Sequence, residues 1–573
     1  MREKHANRRI RLLLVLFVVA FLAMFARAFW LQGVKAAHLS QLARSQHEAT
    51  QTIPAGRGTI FDRTGVQLAI GEQKTTVYAD PKEVRNARGI ALAAHNILGV
   101  DGDTLYPELL NKKSQFVYVA RFADPAKANL FLKKGFVGVL SYPEELRTYP
   151  QNGVGAQVLG YAGIDDHGLG GLELQYDHKL AGRTGTQTIV RDPTGRAIDV
   201  ISSKPVQEGA NVFTTLDHTI QAQAERVLNQ TVSQWGAKDA SAVVLDPATG
   251  EVLAMAQTPG YNANSTSNVA RWSPGLLRNR AVTDTYEPGS TFKLVTITGA
   301  LSDHLVTPSS RFTLPYEYQY AGCTQCNVHD AEERGTVNYS VAQILSYSSN
   351  VGAVTIAEKL GPQRLADWVK KFGFGSPTGI DFPGESGGSV LPVPDWSETT
   401  IGNVPIGQGI SVTPIQMASV YAAVANGGVW IQPHLVLRVG GKAPQTWKHR
   451  RLMSPAVDRE VKSMLGGVVA DAGATGTEAA IPGYTVAGKT GTAQVATPTG
   501  YSTTDYTASF VGMVPASHPR LVILVKVDDP RGSIFGGVVA APAFKSIATF
   551  DLQYLEVPPD APRTLTGTST TTG

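Results

Sequence analysis

The chain has 573 residues, 43% of them hydrophobic and 17% charged, enough for several domains and a large buried core. Its 51 basic and 47 acidic residues leave a formal charge of +4, which excludes a strongly basic nucleic-acid binder and a highly charged unfolded chain. Two cysteines exclude a disulfide-dense scaffold and a cluster held by four thiolates.

Residues 1–11 carry Arg2, Lys4, Arg8, Arg9 and Arg11 against one acid, Glu3. Leu12–Leu31 then forms an apolar run broken once, by Arg27. A run of about 20 residues matches a hydrocarbon core of roughly 30 Å, and no other stretch of the chain is comparable. The basic flank predicts that residues 1–11 stay in the cytoplasm and that the remainder lies outside. Ala26-Arg27-Ala28 also fits a signal-cleavage pattern. Phe29-Trp30-Leu31 prolongs the run past it, and Arg27 can snorkel, so a retained single anchor is expected over a removed signal.

Residues 32–50 read as helix, and the glycines and proline of Ile53–Gly65 mark turns around a short strand. Residues 66–210 mix short strands with helical patches such as Ile90–Leu98, without a polar cluster of catalytic type, and read as a support module. From Asn211 the texture changes. Asn211–Leu216 is strand-like and Thr219–Trp235 is an amphipathic helix. Ala242–Leu245 and Val252–Ala256 form a hairpin through Asp246–Gly250, and late strands follow at Ala508–Val514 and Leu521–Val527. This order predicts a mixed α/β (α+β) domain with one antiparallel sheet flanked by helices, over residues 211–556. The tail, 557–573, ends in a Thr/Gly-rich stretch and is expected to be disordered.

Three short motifs, each present once, carry the chemistry. Ser290-Thr291-Phe292-Lys293 follows Pro288-Gly289 at a turn that opens an apolar helix. Positions i and i+3 share a helix face, so Ser290 and Lys293 point into one space, and a lysine of lowered pKa can take a serine's proton. Ser348-Ser349-Asn350 lies where a helix over Val341–Leu345 runs into a polar turn. Ser348 suits a proton relay and Asn350 a substrate amide. Lys489-Thr490-Gly491 continues into Thr492 on an alternating strand. There Gly491 permits close approach of a peptide, Lys489 offers charge to a carboxylate, and Thr490 and Thr492 offer hydroxyls. Alone, each motif is compatible with an ordinary helix start, polar loop or strand end. Together, in the order S-x-x-K, S-x-N, K-T-G, they are the set of penicillin-binding proteins and related β-lactamases.

The chain resembles the class B penicillin-binding proteins over nearly its whole length. Arg57–Gly65, Arg147-Thr148-Tyr149-Pro150 and Gly170-Gly171-Leu172-Glu173 resemble the motifs of their N-terminal pedestal, placed here at 32–210. Asn279-Arg280, Glu287–Lys293, Gly407-Gln408-Gly409, Thr413-Pro414 and Phe510-Val511-Gly512 match their transpeptidase domain. The asparagine of Ser348-Ser349-Asn350, followed by Val351-Gly352, resembles the division-specific branch more than the elongation branch. The resemblance implies a peptidoglycan D,D-transpeptidase. Ser290 would attack the penultimate D-Ala of a stem peptide, with Lys293 as general base. Ser348 and Lys489 would relay the proton to the leaving D-Ala, although Lys293 and a Ser348–Lys489 route cannot be told apart by sequence. The N–H groups of Ser290 and Thr492 would hold the oxyanion, and Asn350, Thr490, Gly491 and Thr492 the substrate. It further implies a single-pass protein of the bacterial inner membrane with its catalytic domain in the periplasm, acylation by β-lactams, no cofactor, and a polytopic membrane glycosyltransferase as partner. A D,D-carboxypeptidase or β-lactamase-like hydrolase, and a catalytically silent divisome scaffold, are the alternatives. Cys323-x-x-Cys326-x-x-His329-Asp330 departs from the pattern. An exported disulfide is the plainer reading, a zinc site with His329 and Asp330 the other.

Overall fold

The computed structural model describes residues 2–191, 197–265, 269, 272–319, 327–442, 446–497 and 500–561. The chain divides into two compact units, one formed by Met1–Gly56 with Gly182–Gly209, the other by Arg57–Ala181 with Ala210–Gly573.

In the first unit a helix over Arg2–Phe29 passes into a wider turn at Trp30–Val34. Its apolar side chains are exposed along their length, Leu12, Phe17, Leu22 and Phe25 among them. Ala6–Val34 is long and apolar enough to cross a membrane. The helix expected over 32–50 is shorter. It spans Ala36–His47, and Glu48–Ile53 is a strand paired antiparallel with Gly185–Arg191, which pairs in turn with Ala197–Lys204. Only non-local pairing could reveal that strand, since its own six residues have no strong alternation.

The second unit begins with the pedestal motifs. Ile60–Phe61 pairs antiparallel with Gln67–Ala79 and parallel with Val212–Thr214. Gln67–Ala79 also pairs with Val117–Ala123 and Val139–Thr148. Helices Ala87–Leu98, Gly102–Leu110 and Pro125–Leu132 pack Ile90, Leu105, Leu109 and Phe131 against this sheet. The three motifs meet at the fully buried Glu173, whose Oε2 accepts from Arg57 Nε at 2.8 Å and Oε1 from Arg147 Nε at 2.6 Å. Arg57 Nη1 also donates to Asp177 at 2.8 Å. Charges this deep persist because each is paired, and the pairing explains why residues so far apart carry the family pattern.

The five-stranded sheet is antiparallel throughout, in the order Val252–Thr258, Asp239–Leu245, Leu521–Asp528, Gly500–Val514, Ala487–Thr497. Successive side chains point to opposite faces, and both faces are covered. Val243, Leu245, Val522 and Leu524 join one core with helix Pro414–Ala425, all twelve residues of which are buried. Ala242, Val244, Ile523 and Val525 join the other, against helices His218–Trp235 and Gly536–Tyr554. Helix His218–Trp235 starts one residue before the expected Thr219, because Asp217 accepts from the N–H groups of Thr219 and Ile220. Residues 557–561, expected to belong to a disordered tail, are instead tied down. Tyr484 Oη donates to the Val557 carbonyl at 2.7 Å, and Asp560 Oδ1 accepts the Thr485 N–H at 2.7 Å.

Candidate active site

The nucleophile segment is a tight turn. Gly289–Phe292 form a 3-10 turn and the α-helix Lys293–Ser302 follows, so Ser290 stands one turn ahead of Lys293, whose N–H donates to the Ser290 carbonyl. Ser290 stays partly exposed while Lys293 is fully buried. Gly289 has φ +56°, and a Cβ there would lie 2.7 Å from the Thr492 carbonyl oxygen. Only glycine fits both demands. The same contact orients strand Ala487–Thr497, the edge of its sheet. The Thr492 carbonyl points outward at the Gly289–Ser290 turn, and in a strand the N–H of the same residue shares that side. Thr492 N–H therefore faces the nucleophile turn, as an oxyanion donor must.

The second motif arrives on a strained turn. Helix Val341–Ser346 ends before Ser348, which sits at φ +57°, and helix Asn350–Leu360 begins two residues on with Ser349 as its cap. This turn aims Ser348 and Asn350 at the lysines. Lys293 Nζ donates to Asn350 Oδ1 at 2.7 Å, to Ser348 Oγ at 3.2 Å, and to the Ser348 carbonyl. From the opposite side Lys489, also fully buried, donates to Ser348 Oγ at 2.9 Å and to Thr490 Oγ1 at 3.1 Å. The Ser348 hydroxyl thus bridges two lysines that are 196 residues apart in the chain.

The electrostatics follow from this burial. Desolvation pulls the Lys293 ammonium down to about 7, against the opposing charge of Asp330. Lys489 is held well below the ordinary lysine range by burial first and by the charge of Lys293 second. Two neighbouring amines of reduced proton affinity can exchange a proton through a shared hydroxyl, which a pair of permanently charged ammoniums cannot.

The remaining predicted residues lie beside this network. Thr490 Oγ1 donates to Thr475 Oγ1 at 2.9 Å, and Thr492 Oγ1 accepts from Gly536 N–H at 3.2 Å. A Cβ on Gly491 would strike Ser509 Oγ at 2.3 Å and approach the Pro288 carbonyl at 3.0 Å, so the strand and the nucleophile turn are in close contact there. Sequence reasoning missed Thr475, and it weighed Asp330 only as a metal ligand. Asp330 Oδ1 accepts the N–H groups of Asn350 at 2.6 Å and Val351 at 3.1 Å, and Oδ2 accepts from Arg334 Nε at 3.0 Å. A carboxylate committed to those donors is not free for zinc. Cys323 and Cys326 lie outside the described residues. Among the described residues, Asp62, Asp217 and His218 bring ligand atoms within 4.8 Å of one another. Their donors and acceptors are engaged in turn and cap bonds, including Asp62 Oδ2 with His218 Nδ1 at 2.6 Å.

A serine at a helix start, a buried lysine one turn on, and a second serine, on a turn between helices, bonded to a lysine on the edge strand of an antiparallel sheet define the class of serine acyltransferases that penicillins acylate. Comparison with known proteins agrees. The family model of the penicillin-binding protein transpeptidase domain matches residues 240–549, and that of the penicillin-binding protein dimerisation domain residues 52–214. The chain is 33% identical to the peptidoglycan D,D-transpeptidase FtsI of Escherichia coli over 98% of its own length and 94% of the relative's. It is 35% identical to the penicillin-binding protein PbpB of Mycobacterium tuberculosis, over 94% of this chain and 84% of the relative. Among solved structures, penicillin-binding protein 3 of M. tuberculosis in complex with aztreonam superposes with a TM-score of 0.70 at 31% identity, covering 90% of this chain and 99% of that one. The chain belongs to the class B penicillin-binding proteins, in their division-type branch.

Proposed function

We propose that this protein is the peptidoglycan D,D-transpeptidase of septal wall synthesis, with Ser290 as nucleophile. The carrying observation is the Ser348 hydroxyl placed between Lys293 and Lys489 beside the Ser290 turn. Neutral Lys293 takes the Ser290 proton as Oγ attacks the carbonyl of the penultimate D-Ala of a stem peptide. The tetrahedral oxyanion rests on the N–H groups of Ser290 and Thr492. The C–N bond breaks, and the amine of the terminal D-Ala leaves with a proton passed from Lys293 through Ser348. An amine of a second stem peptide then attacks the acyl-enzyme, loses its proton along the same path and releases Ser290. Thr490, Gly491 and Thr492 line the strand that receives the donor peptide, and Asn350 orients its amide. A substrate carboxylate arriving beside Lys489 raises that lysine's proton affinity and is held by the restored charge. β-Lactams follow the first half of this path and remain on Ser290.

In this reading the N-terminus is cytoplasmic and the catalytic unit lies outside the inner membrane, with Ala6–Val34 as the anchor; the basic flank of Arg2, Lys4, Arg8, Arg9 and Arg11 supports it. The partner reading is a polytopic membrane glycosyltransferase of the division machinery, whose nascent glycan an anchored transpeptidase can reach. The test is labelling with a fluorescent penicillin, which Ser290→Ala should abolish. Labelling that survives moves the nucleophile elsewhere. Exchange onto an added D-amino acid, measured against hydrolysis, separates transferase from carboxypeptidase. Failure of Ser290→Ala to abolish function in a depleted strain would favour a scaffold.

A further inference from the structure

We infer that Asp330 is a positioning residue of this site: its carboxylate locks the Ser348–Asn350 turn against Lys293, and its charge, opposed by Arg334, tunes the proton affinity of the Lys293 amine. The inference rests on the reading of Lys293 as the base. Asp330 is buried, directly after the short strand Asn327–His329. Its carboxylate takes the first two N–H groups of helix Asn350–Leu360, where the helix end favours negative charge. Ser349 Oγ lies 3.0 Å from both carboxylate oxygens and in turn caps Gly352 N–H at 3.0 Å. The neighbouring His329 carbonyl accepts Asn350 Nδ2 at 2.9 Å, which leaves Asn350 Oδ1 no choice but to face Lys293 Nζ at 2.7 Å. The His329–Asp330 pair therefore holds two of the three residues of the second motif, Ser349 and Asn350, and Ser348, the third, is held between the two lysines. A turn with Ser348 at φ +57° costs energy, and these bonds are what over-determine it.

Strand Ala487–Thr497 presents Lys489 to Lys293, and the turn before helix Asn350–Leu360 presents Ser348 and Asn350. Asp330 supplies the carboxylate that opposes its desolvation. Helix Pro362–Phe372 contributes Arg364, paired with Asp303 at 3.9 Å at the far end of the nucleophile helix. Helix Pro455–Ala470 contributes Asp458, paired with Lys462 at 3.6 Å. Arg334 sits on the outer side of Asp330, with Nη2 on the same oxygen as Nε. Removing the carboxylate's charge must make Lys293 lose its proton more easily. Removing the Arg334 charge must do the reverse.

The experiment is the second-order acylation rate by a fluorescent penicillin, measured from acid to alkaline pH on the full chain in detergent. Wild type should rise through about pH 7 as Lys293 becomes neutral. Asp330→Asn should move that midpoint down by about half a unit or more, and Arg334→Gln should move it up. A residue that only caps the helix would lower the rate at every pH in Asp330→Asn without moving the midpoint, and Arg334→Gln would leave it in place. Midpoints that stay fixed in both variants, or that move the same way, overturn the inference. Arg334→Gln retains the carboxylate and its amide bonds, so it decides the question even if Asp330→Asn folds poorly. Labelling that persists in Ser290→Ala would overturn the acylation reading and this inference together. Labelling that requires Ser290 but titrates alike in all forms would overturn only the role of Asp330.

Discussion

Replacing Gly289 by alanine tests the geometry of the nucleophile turn more sharply than removing Ser290. The added Cβ would sit 2.7 Å from the Thr492 carbonyl oxygen, 3.1 Å from its carbon and 3.3 Å from Ala493 Cβ. These are backbone or short side-chain atoms, so the edge strand itself must retreat. The left-handed conformation adds roughly 1–2 kcal/mol for a residue with a Cβ. With about 1–3 kcal/mol more for the steric overlap, stability should fall by about 2–5 kcal/mol in all. Catalysis should fall further, because the displaced Thr492 N–H is the proposed oxyanion donor. Loss of one such donor costs about 100–1,000-fold in rate. The expected result is a folded protein whose acylation by a fluorescent penicillin is slowed at least ~100-fold, with a clearly lowered melting temperature. Acylation within about threefold of wild type, a difference of under ~1 kcal/mol, would refute the placement of Thr492 against the nucleophile turn.

Lys489→Ala removes the contacts to Ser348 and Thr490. At about 1.5–3 kcal/mol for the charged hydrogen bond that the recharged Lys489 would make to the ligand's carboxylate, acylation should slow roughly 10–100-fold, read by stopped-time labelling. Glu173→Ala strands the buried Arg57 and Arg147 and should destabilise the second unit by about 3–5 kcal/mol, measured by thermal melting, whereas a surface carboxylate would be neutral. Wild-type acylation should increase with pH through about 7, because burial lowers the Lys293 ammonium to that range and only its neutral form accepts a proton. A rate flat from pH 5 to 9 would contradict Lys293 as the base. Deleting residues 2–34 should move the protein from the membrane pellet to the soluble fraction while leaving penicillin labelling intact; a truncated form still in the pellet would argue against the anchor.

What the sequence determined by itself is local in character. The apolar run of residues 12–31, the amphipathic helix ending at Trp235 and the alternating strands around Lys489 and Phe510 follow from hydrophobic period and turn residues. The three motifs were readable because each is confined to three or four consecutive residues, although two of them straddle a turn and the helix it opens. Tertiary structure decided what lies between elements. No pattern in the chain says that Ser348 bridges Lys293 and Lys489, because that contact needs one turn and one strand brought from 141 residues apart. Asp330 reads on the page as a neighbour of His329 and two cysteines. Folded, its carboxylate belongs to the amides of Asn350 and Val351, since a buried negative charge goes where unpaired N–H groups and a cation meet. The depression of the two lysines is likewise a property of the assembled core. Each is an ordinary ammonium along the chain and becomes an amine of lowered proton affinity only when the sheet, the nucleophile helix and the second-motif turn close around it and exclude water.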